Sequence, residues 1–199
     1  MSHDTVDRIA WRRELPVLKG PLVTLREPTP EDVGALLDVL STADASRFGL
    51  DDVSDLSVAA LIDQVRVERE KGAAFTFAIL AAGRRVVGLV RARALDPVFE
   101  AAEWEGTLLP SLRGTGVFVE AARLVGSFAF GTLGTHRLES RVLLQNGRAN
   151  AALRKLGAVQ EGVLRRSLRA DGQYYDQVLW SVLRDDWTDR WMSTAERVH

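Results

Sequence analysis

Between Gly106 and Phe130 the chain changes character twice within a few residues. An apolar, β-rich run ends at Pro110, and Ser111-Leu112-Arg113-Gly114-Thr115-Gly116 follows. Apolar residues then recur at helical spacing to Phe130, leaving Glu120, Arg123 and Ser127 as a polar stripe. A strand, a glycine-bearing loop and a buried helix in that order point to a layered α/β architecture with the loop at a strand end. Glycine there permits unusual φ values and lets backbone N–H groups approach an anion. The helix N-terminus adds about half a positive charge, and Arg113 a whole one. The combination suits a diphosphate; the plain alternative is a tight turn before a core helix. Neither G-x-G-x-x-G nor a Gly-Lys-Ser/Thr ending is present, so the loop is of neither the Rossmann nor the Walker type.

The rest of the chain supports one mixed domain. Leu22 to Arg26 reads as a short strand, and Thr29-Pro30-Glu31-Asp32 as a helix start with Val33, Leu36, Leu37 and Leu40 on its buried face. Ser57 is expected to cap a second helix running to about Lys71, which Gly72 ends. Phe75–Ala81 and Val86–Leu95 read as strands joined at Ala82-Gly83-Arg84-Arg85, and Ala101–Leu109 as a third. Arg137–Leu144 is a strand and Gly147–Leu156 a helix. Val159–Arg169 and Gln173–Leu183 are strands linked at Asp171-Gly172, followed by a helical piece over 185–191. Residues 1–18 are expected to form an arm, 19–191 a single domain and 192–199 a tail.

Composition removes several classes of function. At 199 residues with 46% hydrophobic and 27% charged content, the chain can bury a real core. A formal charge of -1 gives no global field for nucleic acid. There is no cysteine, so disulfides, thiolate metal sites and a cysteine nucleophile are all excluded, and no metal site is expected. No apolar stretch reaches the roughly 18 residues of a membrane helix, and the start lacks a signal-peptide core. The expected setting is cytoplasmic.

Two separated stretches resemble the GNAT superfamily of N-acetyltransferases, in the branch of ribosomal-protein N-terminal acetyltransferases (RimJ/RimL-like). The loop Arg113-Gly114-Thr115-Gly116 is similar to the family's Q/R-x-x-G-x-G/A motif. The second stretch runs Asn146-Gly147-Arg148-Ala149-Asn150, Lys155-Leu156-Gly157-Ala158 and Glu161-Gly162-Val163-Leu164-Arg165, on to Asp176 and Trp187. It resembles the branch's ending "N-x-x-S … KLGF … EG-x-LR … G-x-x-x-D … W", while Leu25-Arg26 with Glu31-Asp32 resembles its opening. Departures are Ser111 at the Q/R position, Ala149 at the Ser of N-x-x-S, Ala158 at the Phe of KLGF, and Leu153 where many members carry a tyrosine general acid.

The resemblance implies an α/β (α+β) fold: a mixed, mostly antiparallel, twisted sheet of about seven strands flanked by helices. It implies acetyl-CoA as co-substrate, its diphosphate wrapped by the N–H groups of Leu112, Gly114, Thr115, Gly116 and Val117, with Arg113 as the charge. The backbone of Thr107, Leu108 and Leu109 is expected to pair with the pantetheine arm, and the Asn146 amide to hold it. Arg148 and Arg154 are candidates for the 3′-phosphate or, equally, a solvated helix face. Without cysteine, direct attack by the acceptor amine is favoured. The candidate bases are Glu105 and Glu103, which share a strand face and, with Glu100, carry negative charge toward the acceptor side; a solvated strand face is the alternative for Glu103. A backbone N–H near Leu109 is the expected oxyanion donor. His136 reads as structural, and Tyr174 and Tyr175 as sheet packing or a proton donor. The acceptor is expected to be a protein or peptide N-terminus, with a small amine such as a polyamine, antibiotic or amino-acid derivative as the alternative. A non-catalytic acyl-CoA-binding module is a third reading, and a homodimer an open one.

Overall fold

The computed structural model describes residues 9–42, 48, 50, 52–81, 85–170, 172–187 and 191. Residues 1–8 of the expected arm, 43–47, 49, 51, the expected turn positions 82–84 and Asp171, residues 188–190 of the expected helical piece and the expected tail 192–199 lie outside them. Among the described residues eight strands form one sheet: β1 (Leu18–Lys19), β2 (Thr24–Arg26), β3 (Ala74–Leu80), β4 (Val86–Ala94), β5 (Ala101–Leu108), β6 (Arg137–Leu143), β7 (Val159–Ala170) and β8 (Gln173–Leu183). Their order is β1-β2-β3-β4-β5-β6-β8-β7. Every neighbouring pair is antiparallel except β5 and β6, which are parallel. The strand beyond the expected seven is β1, two residues paired with Thr24 and Leu25 and too short to leave a pattern.

Helices cover both faces. Helices α1 (Val33–Ser41) and α2 (Asp55–Glu70) bury Leu36, Leu40, Val58, Leu61 and Val65 against Ala78, Leu80 and Leu89. On the opposite face, α3 (Val117–Ser127) and α4 (Gly147–Leu156) pack Val117, Ala121, Val125, Leu153 and Leu156 with Phe75, Phe77, Ala92, Trp104, Val178 and Trp180. Leu153 is therefore a core residue. Trp11 and Leu15 are buried in the same core, so the second half of the expected arm is part of the domain.

Local chemistry explains the ends of these helices. Ser54, not Ser57, is the N-cap of α2; its hydroxyl accepts from the Ser57 N–H, and the Ser57 hydroxyl accepts from the Ser54 N–H. Two serines three apart can form this reciprocal pair, which is why the cap falls one turn earlier than expected. Helix α3 ends in a π turn over Phe128–Leu133 and turns out at Gly134 in the left-handed region. The short helix α5 (Arg184–Trp187) brings Trp187 against Gly126, where a Cβ would lie 2.4 Å from the indole. The polar stripe of α3 is tied down, not solvated. Glu120 accepts from the N–H groups of Leu22 and Val23, Arg123 lies over Trp191, and Ser127 accepts from the Trp187 indole.

The feature that creates a site is a parting of strands. The β5–β6 ladder joins only Ala101, Ala102 and Glu103 to Arg137, Leu138 and Glu139. Beyond it β5 stays paired to β4 as far as Leu108, and β6 to β8 as far as Leu143. Each strand thus keeps its outer partner while the inner edges separate. At the fork the buried Ser140 hydroxyl donates to the Trp104 carbonyl at 2.7 Å, giving that carbonyl a partner where the ladder has stopped.

Ser140→Ala leaves the Trp104 carbonyl buried without a donor and should cost about 1–3 kcal/mol, or about 2–4 °C of Tm per kcal/mol at this chain length; a thermal melt checks it. A second expectation concerns Glu161. Arg137 donates to both its carboxylate oxygens at 2.6 and 2.5 Å, and the Ser181 hydroxyl donates at 2.7 Å. Hydrogen bonding from Arg137 first, then Ser181, holds its pKa at about 2 instead of 4.5. The folded-state value is depressed, so the stabilisation is complete above about pH 4.5 and lost as pH falls toward 2. Glu161→Gln should melt below the native chain at pH 6, and the two should converge near pH 2.

Candidate functional site

The parted strands open a cleft of about 450 Å³ that passes from the α3–α4 face of the sheet toward α1. Glu105 to Leu108 form one wall and Leu143 the other. The glycine loop, Phe118 and Val119 line it above, Asn146, Arg148, Ala149, Ala151, Ala152 and Lys155 beside, and Thr42 and Phe48 at the far end.

Strand parity decides which backbone groups face it. The Leu109 N–H donates to the Val87 carbonyl at 2.8 Å. Antiparallel pairs alternate, so Thr107, opposite Leu89, also turns its N–H and C=O to β4. A Cβ on Gly88 would sit 2.4 Å from the Thr107 carbonyl, in agreement. Gly106 and Leu108 therefore point their backbone groups into the cleft. Of the three residues expected to pair with an extended ligand, Leu108 faces it; the oxyanion donor expected near Leu109 is correspondingly occupied by β4.

The loop divides its amides in a similar way. A 3₁₀ turn over Pro110–Leu112 ties the Leu112 N–H to Leu109 O at 3.0 Å, and Thr115 N–H reaches Leu112 O at 3.4 Å. Those two are held internally, against the expectation that they wrap an anion. Gly114 and Gly116 sit at φ +86° and +91°, the left-handed region that glycine alone tolerates well. Their N–H groups, with those of Val117, Phe118 and Val119 in the first turn of α3, carry no partner among the described residues. This is an array of five amides at the positive end of a helix, with exposed Arg113 beside it. The Arg113 Nε reaches back to Leu108 O at 3.4 Å.

On α4, the Asn146 side-chain oxygen is the helix N-cap, accepting from Ala149 N–H at 3.1 Å, while the residue still borders the cleft. Arg148 lies on the rim. Arg154 does not: its guanidinium rests 5.3 Å from the Trp180 ring. Lys155 occupies the rim instead, one residue further along the helix. Asn150 is a structural pillar, its amide bonded to the carbonyls of Leu143 and Asn146 and to the Trp180 indole.

The α1–α2 face presents the acids. Glu105 borders the cleft; Glu103 does not. Glu103 is bound to Arg93 at 2.8 Å and approaches Arg141 at 3.8 Å. Glu139 is paired with Arg137 at 2.8 Å. Glu103 and Glu139 are thus matched by arginines, against the expected field of negative charge toward the acceptor, and Glu105 is the one carboxylate among the described lining residues. His136 is exposed at the start of β6, and Tyr174 and Tyr175 belong to the outer hairpin, away from the cleft.

Sequence reasoning missed Gly106 and Phe118. A Cβ on Gly106 would meet Phe118 at 2.8 Å and Leu89 O at 2.9 Å, so the glycine lets α3 close on β5. A lone glycine inside a β-rich run is the signal that marks such an approach. Among the described residues no helix is long and apolar enough to cross a membrane, and no cluster of His, Asp and Glu could hold a metal.

Comparison with known proteins bears on the family and the fold. Residues 23–159 match the model of the acetyltransferase (GNAT) domain. The chain is 26% identical over 183 residues to the uncharacterised N-acetyltransferase YoaA of Bacillus subtilis, covering 85% of this chain and 97% of that protein. Among solved structures it superposes on Mycobacterium smegmatis RimJ in complex with CoA-disulfide with a TM-score of 0.77, at 21% identity over 90% of this chain and 93% of that one. The ribosomal-protein-S5-alanine acetyltransferase of Vibrio fischeri superposes with a TM-score of 0.75, at 18% identity over 86% and 98% of the two chains.

Two substitutions test the loop. Gly116→Val places a β-branched residue at φ +91°, where the backbone and not any neighbour forbids it, and should abolish coenzyme A binding. Arg113→Ala should weaken binding about tenfold, roughly 1.4 kcal/mol, with an unchanged melt in the absence of ligand. Calorimetric titration with coenzyme A checks both.

Proposed function

The chain belongs to the GNAT acetyltransferase family, and we propose that the acceptor of its acetyl group is the α-amino group of a protein or peptide N-terminus. Acetyl-CoA is the family's co-substrate and supplies an activated thioester. The fit of this chain to it rests on the five amides from Gly114 to Val119, on Arg113, Arg148 and Lys155, and on the open backbone edge at Gly106 and Leu108.

The observation that carries the acceptor assignment is the single carboxylate, Glu105, bordering the cleft among the described residues. A polyamine presents several cations and calls for several carboxylates; an N-terminus presents one cation with a neutral backbone behind it. The nearby Glu103 and Glu139 are held by arginines and offer little to further cations. Proton chemistry points the same way. A peptide α-amino group has a pKa of about 7.7–8.0 and a lysine about 10.4, a difference of roughly 3 kcal/mol in the cost of deprotonation. One modest base suffices for the former.

In this reading Glu105 takes the amine proton, directly or through a water. The amine nitrogen attacks the thioester carbon, the C–S bond breaks, and the departing thiolate is protonated from solvent. Leu108, whose backbone faces the cleft, replaces Leu109 as the candidate to polarise the carbonyl. With no cysteine in the chain, acetyl transfer through a cysteine thioester is excluded.

A panel of alanine- and serine-initiated peptides, spermidine and free amino acids, read by thiol release, tests the assignment. Turnover of peptides at least tenfold above spermidine is expected; the reverse order would favour a small-amine enzyme, and no release from any amine a binding module. Glu105→Gln should lower kcat by about 10²–10³-fold and flatten the acidic limb of the pH–rate profile, and an unchanged profile would remove Glu105 from the reaction.

A further inference from the structure

A row of three charged side chains runs from α2 across the sheet to the cleft. Arg91 and Glu105 are directly opposed in the β4–β5 register, so they share a face of the sheet with Cβ atoms about 4.5–5.5 Å apart. That face is the one α1 and α2 cover: Arg91 lines a small cavity there with Leu36, Leu61 and Ile62. From the end of α2, Glu68 accepts from Arg91 Nη2 through both carboxylate oxygens, at 2.8 and 2.7 Å. The two side chains are 11% and 20% exposed, so their charges act through protein more than through water. Both contacts fall on one nitrogen of the guanidinium. Its Nε is buried with no partner among the described residues.

We propose that Arg91 is a positioning residue that sets the ionisation of Glu105, and that Glu68 holds Arg91 and tempers its charge. The inference rests on the reading of Glu105 as the group that takes the amine proton. Among the described residues, other charges on this face have their own partners: Glu103 lies between Arg93 and Arg141, and Glu139 pairs with Arg137. On the rim of the cleft stand Arg113, Arg148 and Lys155. Arg91 is the cation in direct cross-strand opposition to Glu105, and its charge reaches that carboxylate diminished by Glu68.

Such a row has a signature that packing alone cannot produce. Removing Arg91 takes away a cation and uncovers the anion of Glu68, and both changes disfavour ionised Glu105. Neutralising Glu68 leaves the cation of Arg91 uncompensated and favours it. The two substitutions therefore act in opposite directions although they break the same contact.

The experiment is a carboxyl-carbon NMR titration of the full chain labelled at glutamate, with the Glu105 signal assigned by its loss in Glu105→Gln. Arg91→Met should move the Glu105 midpoint up by about one pH unit, and Glu68→Gln should move it down by a smaller amount. Midpoints that stay put, or move in the same direction, would overturn the proposal. A melt reports whether Arg91→Met is folded; if it is not, Glu68→Gln decides alone, and an unmoved or raised midpoint overturns the inference. The titration needs no acceptor. A failure of Glu105 as the base appears separately, as a pH–rate profile that Glu105→Gln leaves unchanged.

Discussion

Three residues of parallel pairing between β5 and β6, and no more, are the constraint on which the rest of the structure depends. A longer ladder would seal the sheet and leave no cleft. A shorter one would divide the sheet into two halves. The strands part without unravelling because each is held along its other edge, and because Ser140 gives the last buried carbonyl of the fork a donor. The backbone groups of Gly106 and Leu108 are left with no strand partner on that side, the Leu108 carbonyl meeting only the Arg113 side chain at 3.4 Å, so the fold leaves this edge for an extended ligand.

The elements around the fork follow from it. Gly106 lets Phe118 close down on β5, which brings the first turn of α3 to the upper end of the cleft. Gly114 and Gly116 turn the chain through the left-handed region, and five amides without a partner among the described residues lie there. Glu120 lies one turn into that helix, where its carboxylate would oppose an anion. It is instead engaged by the N–H groups of Leu22 and Val23, which also anchors the β1–β2 turn beside the loop. On the other face, arginines from β4 and β6 match the acids of β5 and β6 nearly one for one. The acceptor side is therefore a mosaic of paired charge, not an acidic surface.

Much of this was legible in the residues, and the remainder fails for physical reasons. The glycine loop, the helices and the long strands carry strong local signals, and the mixed sheet follows from their order. Register carries none: only the three-dimensional pairing distinguishes Leu108, facing the cleft, from Thr107 and Leu109, facing β4. Side-chain fates were equally hidden. Arg154 and Lys155 are adjacent on α4, yet one lies on Trp180 and the other on the rim, because a helix turns about 100° per residue. Glu103 and Glu105 share a strand face, but partners from two other strands, invisible to local pattern, hold the first. Trp11 and Leu15 lie in a stretch without periodicity and are placed in the core by tertiary packing alone.

Residue-resolved amide hydrogen exchange with and without acetyl-CoA tests the central claim, that the parted strands and the helix end together receive the co-substrate. New protection is predicted at Gly106 and Leu108 and across Gly114 to Val119, with Thr107 and Leu109 little changed because β4 already protects them. Protection confined to other segments, or none along the β5 edge at saturating acetyl-CoA, would contradict it.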